Sequence, residues 1–131
     1  MSKTGKMAKT VLIVDDESDL ADTYARLLKS EGFECLVAYG IEDALSLFDS
    51  RHPALVVSDI TLPVGDGFEI ARHVRKKSPG TPVVLMTAYH SANAETQAGR
   101  AGADRYLRKP FPNAQLVSTV KSLIASQGSR P

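Results

Sequence analysis

The chain has 131 residues, 43% apolar and 24% charged, the balance of one ordinary globular domain whose core needs neither disulfides nor a structural metal. Lysine and arginine total 16 against 15 aspartates and glutamates, so no overall field would draw the chain to nucleic acid or to an anionic membrane. Cys35 is the single cysteine, which excludes an internal disulfide framework and any CxxC site and fits a reducing, cytoplasmic setting.

Residues 1–9 carry Lys3, Lys6 and Lys9 and read as a flexible, solvated tail. The apolar stretch behind them is only Val11 to Val14 before Asp15 and Asp16 intervene, so it is no signal peptide. The longest apolar run, Cys35 to Tyr39, falls far short of the roughly 20 residues a membrane helix needs.

Short apolar runs then alternate with segments of helical period. The first strand is predicted over 10–14 (TVLIV), followed by a helix carrying Leu20, Tyr24, Leu27 and Leu28 that stops at Gly32. A second strand over 34–38 (ECLVA) leads to a helix marked by Ile41, Ala44, Leu45 and Phe48. A third strand over 54–58 (ALVVS) leads to a helix that Gly67 opens, that Phe68, Ala71 and Val74 mark, and that ends before Ser78, Pro79 and Gly80. The fourth strand is predicted over 82–86 (PVVLM). The helix after it, about 92–100, has only alanine on its apolar side and is expected to dock weakly and to be the mobile one. The fifth strand, 105–107 (RYL), precedes a helix with Leu116, Val120, Leu123 and Ile124, capped by Asn113. Residues 127–131 read as a C-terminal tail, leaving one domain over 10–126. Near-continuous apolar runs imply strands covered on both faces. Cys35 in such a strand is a small apolar filler. Five strand-then-helix units with short connections give an α/β, doubly wound, five-stranded parallel sheet with five helices.

Open sheets of this kind bind ligands beyond the carboxyl ends of their strands. There the sequence places Asp15, Asp16 and Glu17 after strand one, Asp59 after strand three, Thr87 after strand four and Lys109-Pro110 after strand five. Strands one and three should be neighbours, which clusters Asp15, Asp16 and Asp59. Two carboxylates at 4 Å repel by about 4 kcal/mol at an effective dielectric of 20, so the cluster invites a cation. Oxygen donors of this kind suit Mg2+, with Mn2+ as the alternative. A cation together with Lys109 would make the acidic pocket a receptor for a dianionic phosphoryl group. Neither GxGxxG nor GxxxxGK[ST] is present, so direct nucleotide binding is disfavoured. His52, His73 and His90 lie in separate segments without metal-ligand spacing and read as ordinary surface or partly buried residues.

From residue 11 to 124 the sequence resembles the receiver domain of two-component response regulators. VLIVDDE resembles that family's first strand and acid pair, VVSDITLPVGDG its phosphoacceptor strand and loop, VVLMTAY its threonine segment, and AGADRYLRKPF its fifth strand and lysine-proline turn. The resemblance implies a flavodoxin-like (β/α)5 receiver fold and roles position by position. Asp59 would be the phosphoacceptor, Asp16 a direct metal ligand, Asp15 a ligand mainly through water, and Thr61 a ligand through its backbone carbonyl. Lys109 would pair with the phosphoryl group, Thr87 would hydrogen-bond it, and Tyr106 would turn inward as Thr87 moves. A cis peptide is implied before Pro110. Thr61 and Tyr89 lie where the family tunes its dephosphorylation rate.

The implied function is that of a signalling switch, not a metabolic enzyme. It would take its phosphoryl group from a sensor histidine kinase or a histidine phosphotransfer protein, catalyse that transfer and a slow autodephosphorylation itself, and act alone or within a larger regulator. Helix four, strand five and helix five would form the output or homodimer face, with no contact to nucleic acid or membrane. A haloacid-dehalogenase-like phosphatase would carry a second acid two residues after its nucleophile, where this chain has Thr61. A non-phosphorylated binding module would have no need of Asp59, Thr87 and Lys109 together.

Overall fold

In the computed structural model, which describes residues 8–128, five short strands carry the core: β1 (Thr10–Val14), β2 (Glu34–Ala38), β3 (Leu55–Asp59), β4 (Val83–Thr87) and β5 (Arg105–Arg108). Each is followed by a helix: α1 (Ser18–Ser30), α2 (Ile41–Arg51), α3 (Gly67–Lys77), α4 (Ala92–Ala101) and α5 (Asn113–Gly128). All four strand pairings are parallel. The sheet runs β2-β1-β3-β4-β5, so β1 and β3 are neighbours as the sequence predicts.

Successive side chains of a strand point to opposite faces, and here each face has its own helices. Leu12, Val14, Val56 and Leu85 pack under α2, α3 and α4. Val11, Ile13, Val57, Val84 and Met86 pack under α1 and α5. The expectation of strands covered on both faces holds for β3 and β4 and for all of β1 but Thr10, and fails at the edges of the sheet. There β2 is buried only at Ala38, and β5 only at Leu107. Cys35 is therefore half-buried on an edge strand instead of filling a covered one. Its thiol reaches the Ala25 carbonyl at 3.5 Å, and burial pushes its pKa up.

Both β3 and β4 begin and end one residue later than the apolar pattern suggests. Pro82 has no N–H to give the ladder and contributes only its carbonyl, to the Val56 N–H. Asp59 and Thr87 thus become the last residues of their strands. Asn113 is the first residue of α5 instead of its cap, with the Gln115 N–H donated to the Pro112 carbonyl. α5 continues to Gly128, past the point where the sequence reading begins the C-terminal tail. The tail expectations for residues 1–7 and 129–131 lie outside the described residues.

The helix with the alanine face is held unevenly. Only Ala98 and Ala101 of α4 are buried, while Ala92 to Gln97 are exposed apart from half-buried Ala94. Its carboxyl end is closed by Gly102 in the left-handed region, with the Ala103 N–H donated to the Ala98 carbonyl. The Arg75 guanidinium from α3 then donates to the carbonyls of Pro79, Thr81 and Gly102 and pairs with Asp104 at 3.1 Å. The Asp104 carboxylate also accepts the Val83 N–H that begins β4, at 2.8 Å.

Gly67 is buried where α3 starts against the end of β3, and its N–H donates to the Ile60 carbonyl at 2.8 Å. A Cβ here would collide with the Asp59 backbone carbonyl. Gly67→Ala is therefore expected to destabilise the fold by about 1–3 kcal/mol, the usual cost of overpacking. Urea unfolding checks this as a lowered midpoint at unchanged slope.

Candidate functional site

The ends of β1, β3 and β5 bring three of the predicted residues into direct contact. Asp15, fully buried, follows β1, and its N–H is donated to the Ala38 carbonyl at 3.1 Å. Its Oδ1 accepts the Glu17 N–H at 2.9 Å, which leaves Oδ2 facing inward. Asp59 is divided in the same way: Oδ1 accepts the Thr61 N–H at 2.9 Å and Oδ2 is left for another partner. That partner is the Lys109 ammonium, 2.6 Å from Asp59 Oδ2 and 2.7 Å from Asp15 Oδ2.

Lys109 is aimed by its backbone. Its N–H donates to the Thr87 carbonyl at 2.8 Å, continuing the β4–β5 ladder. The Lys109-Pro110 peptide bond is cis, as the resemblance implies. Phe111 just beyond stacks on Tyr24 of α1 at 5.6 Å between ring centroids, which fixes the turn against the helix.

Asp16 is exposed beside this pair. Carboxylate oxygens of Asp15, Asp16 and Asp59 lie within 4.8 Å of one another, and theirs is the one such group of three or more among the described residues. The donors are all oxygen, and those of Asp15 and Asp59 are oriented by backbone hydrogen bonds, which fits a hard divalent cation of the Mg2+ or Mn2+ type. A cleft of about 160 Å³ opens here, lined by Asp16, Asp59, Thr61, Ala88, Tyr89 and Lys109. A roomier cleft of about 370 Å³ lies between Gly40 to Asp43 and Pro63-Val64, lined by apolar side chains and the acids Glu42 and Asp43, away from the Asp15, Asp59 and Lys109 contact.

The electrostatics follow from two buried carboxylates sharing one ammonium, with the exposed Asp16 beside them. Burial pushes the Asp59 carboxyl above its ordinary range, outweighing the hydrogen bonds from Lys109 and from the Thr61 backbone, and Asp15 adds to the rise. Burial works against the charge of Lys109, but its hydrogen bonds to Asp15 and Asp59 outweigh that and hold its proton well above the ordinary lysine value. The two directions agree: the lysine has two carboxylates holding its proton, whereas Asp59 has only a share of one lysine to set against its burial.

Two predicted residues stand apart from this contact. The Thr87 hydroxyl is buried at the end of β4, and its Oγ1 accepts the Tyr89 N–H at 2.9 Å. Tyr106 is half-buried on β5 with its hydroxyl toward the surface, hydrogen-bonded to His90 Nδ1 at 3.0 Å. The two rings meet edge to face at 5.6 Å. Burial raises the Tyr106 phenol above its usual range, against a backbone hydrogen bond from Ser91. The sequence reading took His90 for an ordinary histidine and so missed this pairing. The available signal was topological, because the loop after β4 must pass over neighbouring β5. His73 bonds Asp49 across α2 and α3 at 2.7 Å, and His52 sits at the end of α2, both away from the cluster.

Comparison with known proteins agrees with this fold. A family model described as the response regulator receiver domain matches residues 11–121. Among solved structures, a response regulator receiver domain protein (CheY-like) from Methanospirillum hungatei JF-1 is 30% identical with a TM-score of 0.90, the match covering 93% of this chain and 98% of that one. The Vibrio cholerae chemotaxis protein CheY4 is 28% identical with a TM-score of 0.84, covering 89% of this chain and 99% of that one. NtrX from Brucella abortus, solved in complex with ATP, is 31% identical with a TM-score of 0.86; the match covers 93% of this chain and 28% of that one.

Because the folded pKa of Asp59 lies above its ordinary 3.8, ionising it destabilises the fold by an amount that is full above the folded pKa and gone below 3.8. With divalent cations chelated, Asp59→Asn is expected to melt a few degrees above the unaltered chain at pH 7, and the gap should close as the pH falls toward 3.8. Thermal unfolding across that pH range checks both the sign and the window.

Proposed function

The chain belongs to the response regulator receiver domain family, and on that premise we propose that Asp59 accepts a phosphoryl group from a phosphohistidine of a sensor histidine kinase or a histidine phosphotransfer protein. The observation that carries this reading is the Lys109 ammonium held against both Asp15 and Asp59 at the end of β3. In the transfer, a carboxylate oxygen of Asp59 forms the new bond to phosphorus as the phosphorus–imidazole nitrogen bond breaks, and the imidazole, already protonated on its other ring nitrogen, departs neutral with the electron pair of that bond. Lys109 pairs with the phosphoryl oxygens, and Thr87 turns its hydroxyl toward them.

Asp16, Asp59 and the Thr61 backbone carbonyl would hold Mg2+ directly and Asp15 through water, with Mn2+ as the substitute. Bound there, the cation neutralises charge on the transferring group. The domain, taken as residues 10–126, is a phosphoacceptor that catalyses its own phosphorylation and a slow autodephosphorylation, and is not a metabolic enzyme. Phosphorylation adds about −1.5 to −2 charges at Asp59. Moving a switch from 1:99 to 99:1 takes about 5.5 kcal/mol, a sum that several charge-assisted hydrogen bonds from Thr87 and Lys109 can reach. Tyr106 follows Thr87, and the face of α4, β5 and α5 presents the changed surface to an output partner or a second copy. No helix among the described residues is long and apolar enough to cross a membrane. We place the protein in the cytoplasm, beside the kinase domains that would supply it.

Intact-mass spectrometry after incubation with a small-molecule phosphodonor tests the reading. One phosphoryl adduct is expected with magnesium, none without it, and none on Asp59→Asn. A well-folded chain that takes up no phosphoryl group from any donor overturns it.

A further inference from the structure

We propose that His90 is a positioning residue whose imidazole tethers the Tyr106 hydroxyl and thereby holds the amino-terminal half of α4 against β5. The first buried residue of α4 is Ala98, so its opening turns have almost no apolar contact to keep them in place. The carboxyl end is fastened independently, by Arg75 on the Gly102 carbonyl. At the amino end, the His90 ring meets the Tyr106 ring edge to face at 5.6 Å, with Nδ1 and the phenolic oxygen 3.0 Å apart. Ser91, the next residue, is the cap of α4: its Oγ accepts the Ala94 N–H at 2.9 Å. The tether is therefore applied directly at the first turn of the helix.

The same short loop is tied at its other end to the site. Tyr89 donates its N–H to Thr87 Oγ1 at 2.9 Å, and only Ala88 and Tyr89 separate Thr87 from His90. Thr87 cannot swing toward a group on Asp59 while its oxygen keeps that N–H in place. Releasing the N–H frees the peptide that carries His90. The His90–Tyr106 pair is then the restraint that movement of Thr87 has to overcome. This link to switching rests on the reading of Asp59 given above, whereas the tether does not.

Amide hydrogen exchange on the full, unphosphorylated chain separates the two. His90→Ala is expected to speed exchange across residues 92–97 by about ten-fold while amides of β1 and β3 keep their protection, which also shows that the variant folds. Tyr106→Phe, which also removes the Ser91 backbone contact on the same hydroxyl, should raise exchange at least as much, and the double variant should add nothing to Tyr106→Phe. Exchange of 92–97 within about two-fold of the unaltered chain in His90→Ala, or effects that add in the double variant, overturns the tether. A chain that shows the expected exchange but takes up no phosphoryl group keeps the tether and loses the reading of Asp59. The opposite pair of results does the reverse.

Discussion

One ammonium between two buried carboxylates is the constraint on which the site depends. Asp15 and Asp59 belong to neighbouring strands, with Asp16 close by, and at about 4 Å and an effective dielectric of 20 each pair of such charges repels by about 4 kcal/mol. Lys109 offsets part of that and leaves a net acidic pocket. It can do so only from the place it occupies, with its N–H on the Thr87 carbonyl and the following turn stacked against α1 through Phe111 and Tyr24. The arrangement spans β1, β3, β4 and β5, so the sheet order is itself a requirement of the chemistry.

The helices do not bury equal apolar surface against the sheet. Toward α1 and α5 the core is built from Tyr24, Leu28, Leu116 and Val120, large side chains that interlock. Toward α4 it is closed by Ala98 and Ala101, which remove little surface from water. Elements with few buried apolar contacts open at the lowest free energy. The polar pocket lies at the strand ends between these two regimes, where a change of charge can be answered by one side while the other stays still.

Much of this was legible in the residues themselves. Five apolar runs broken by helical periods specify a parallel sheet. The acids, threonine and lysine at their carboxyl ends specify a cluster, because parallel strands bring those ends to one side. The alanine face of α4 announced its thin packing. What was not legible depends on long-range neighbours. Apolar runs alone do not say that β2 and β5 lie at the edges, so Cys35 was read as more covered than it is. Pro82 shifts the start of β4 through its missing N–H, and Asn113 enters α5 instead of capping it. Arg75 and His90 each act across a gap in sequence, 29 residues from Arg75 to Asp104 and 16 from His90 to Tyr106, and neither carries a local signature.

The unequal fastening of α4 also fixes the shape of any motion it makes. With Gly102 clamped by Arg75 and burial confined to the last turn, any swing of the helix would pivot at its carboxyl end. Its 10 residues give an arm of about 15 Å at 1.5 Å per residue. A swing of about 10° would carry the first turn between roughly 2 and 3 Å while the pivot hardly moves. Displacement therefore grows along the helix from Ala101 to Ala92, and a surface that reads the position of α4 gains the most contrast at the end nearest the carboxylates.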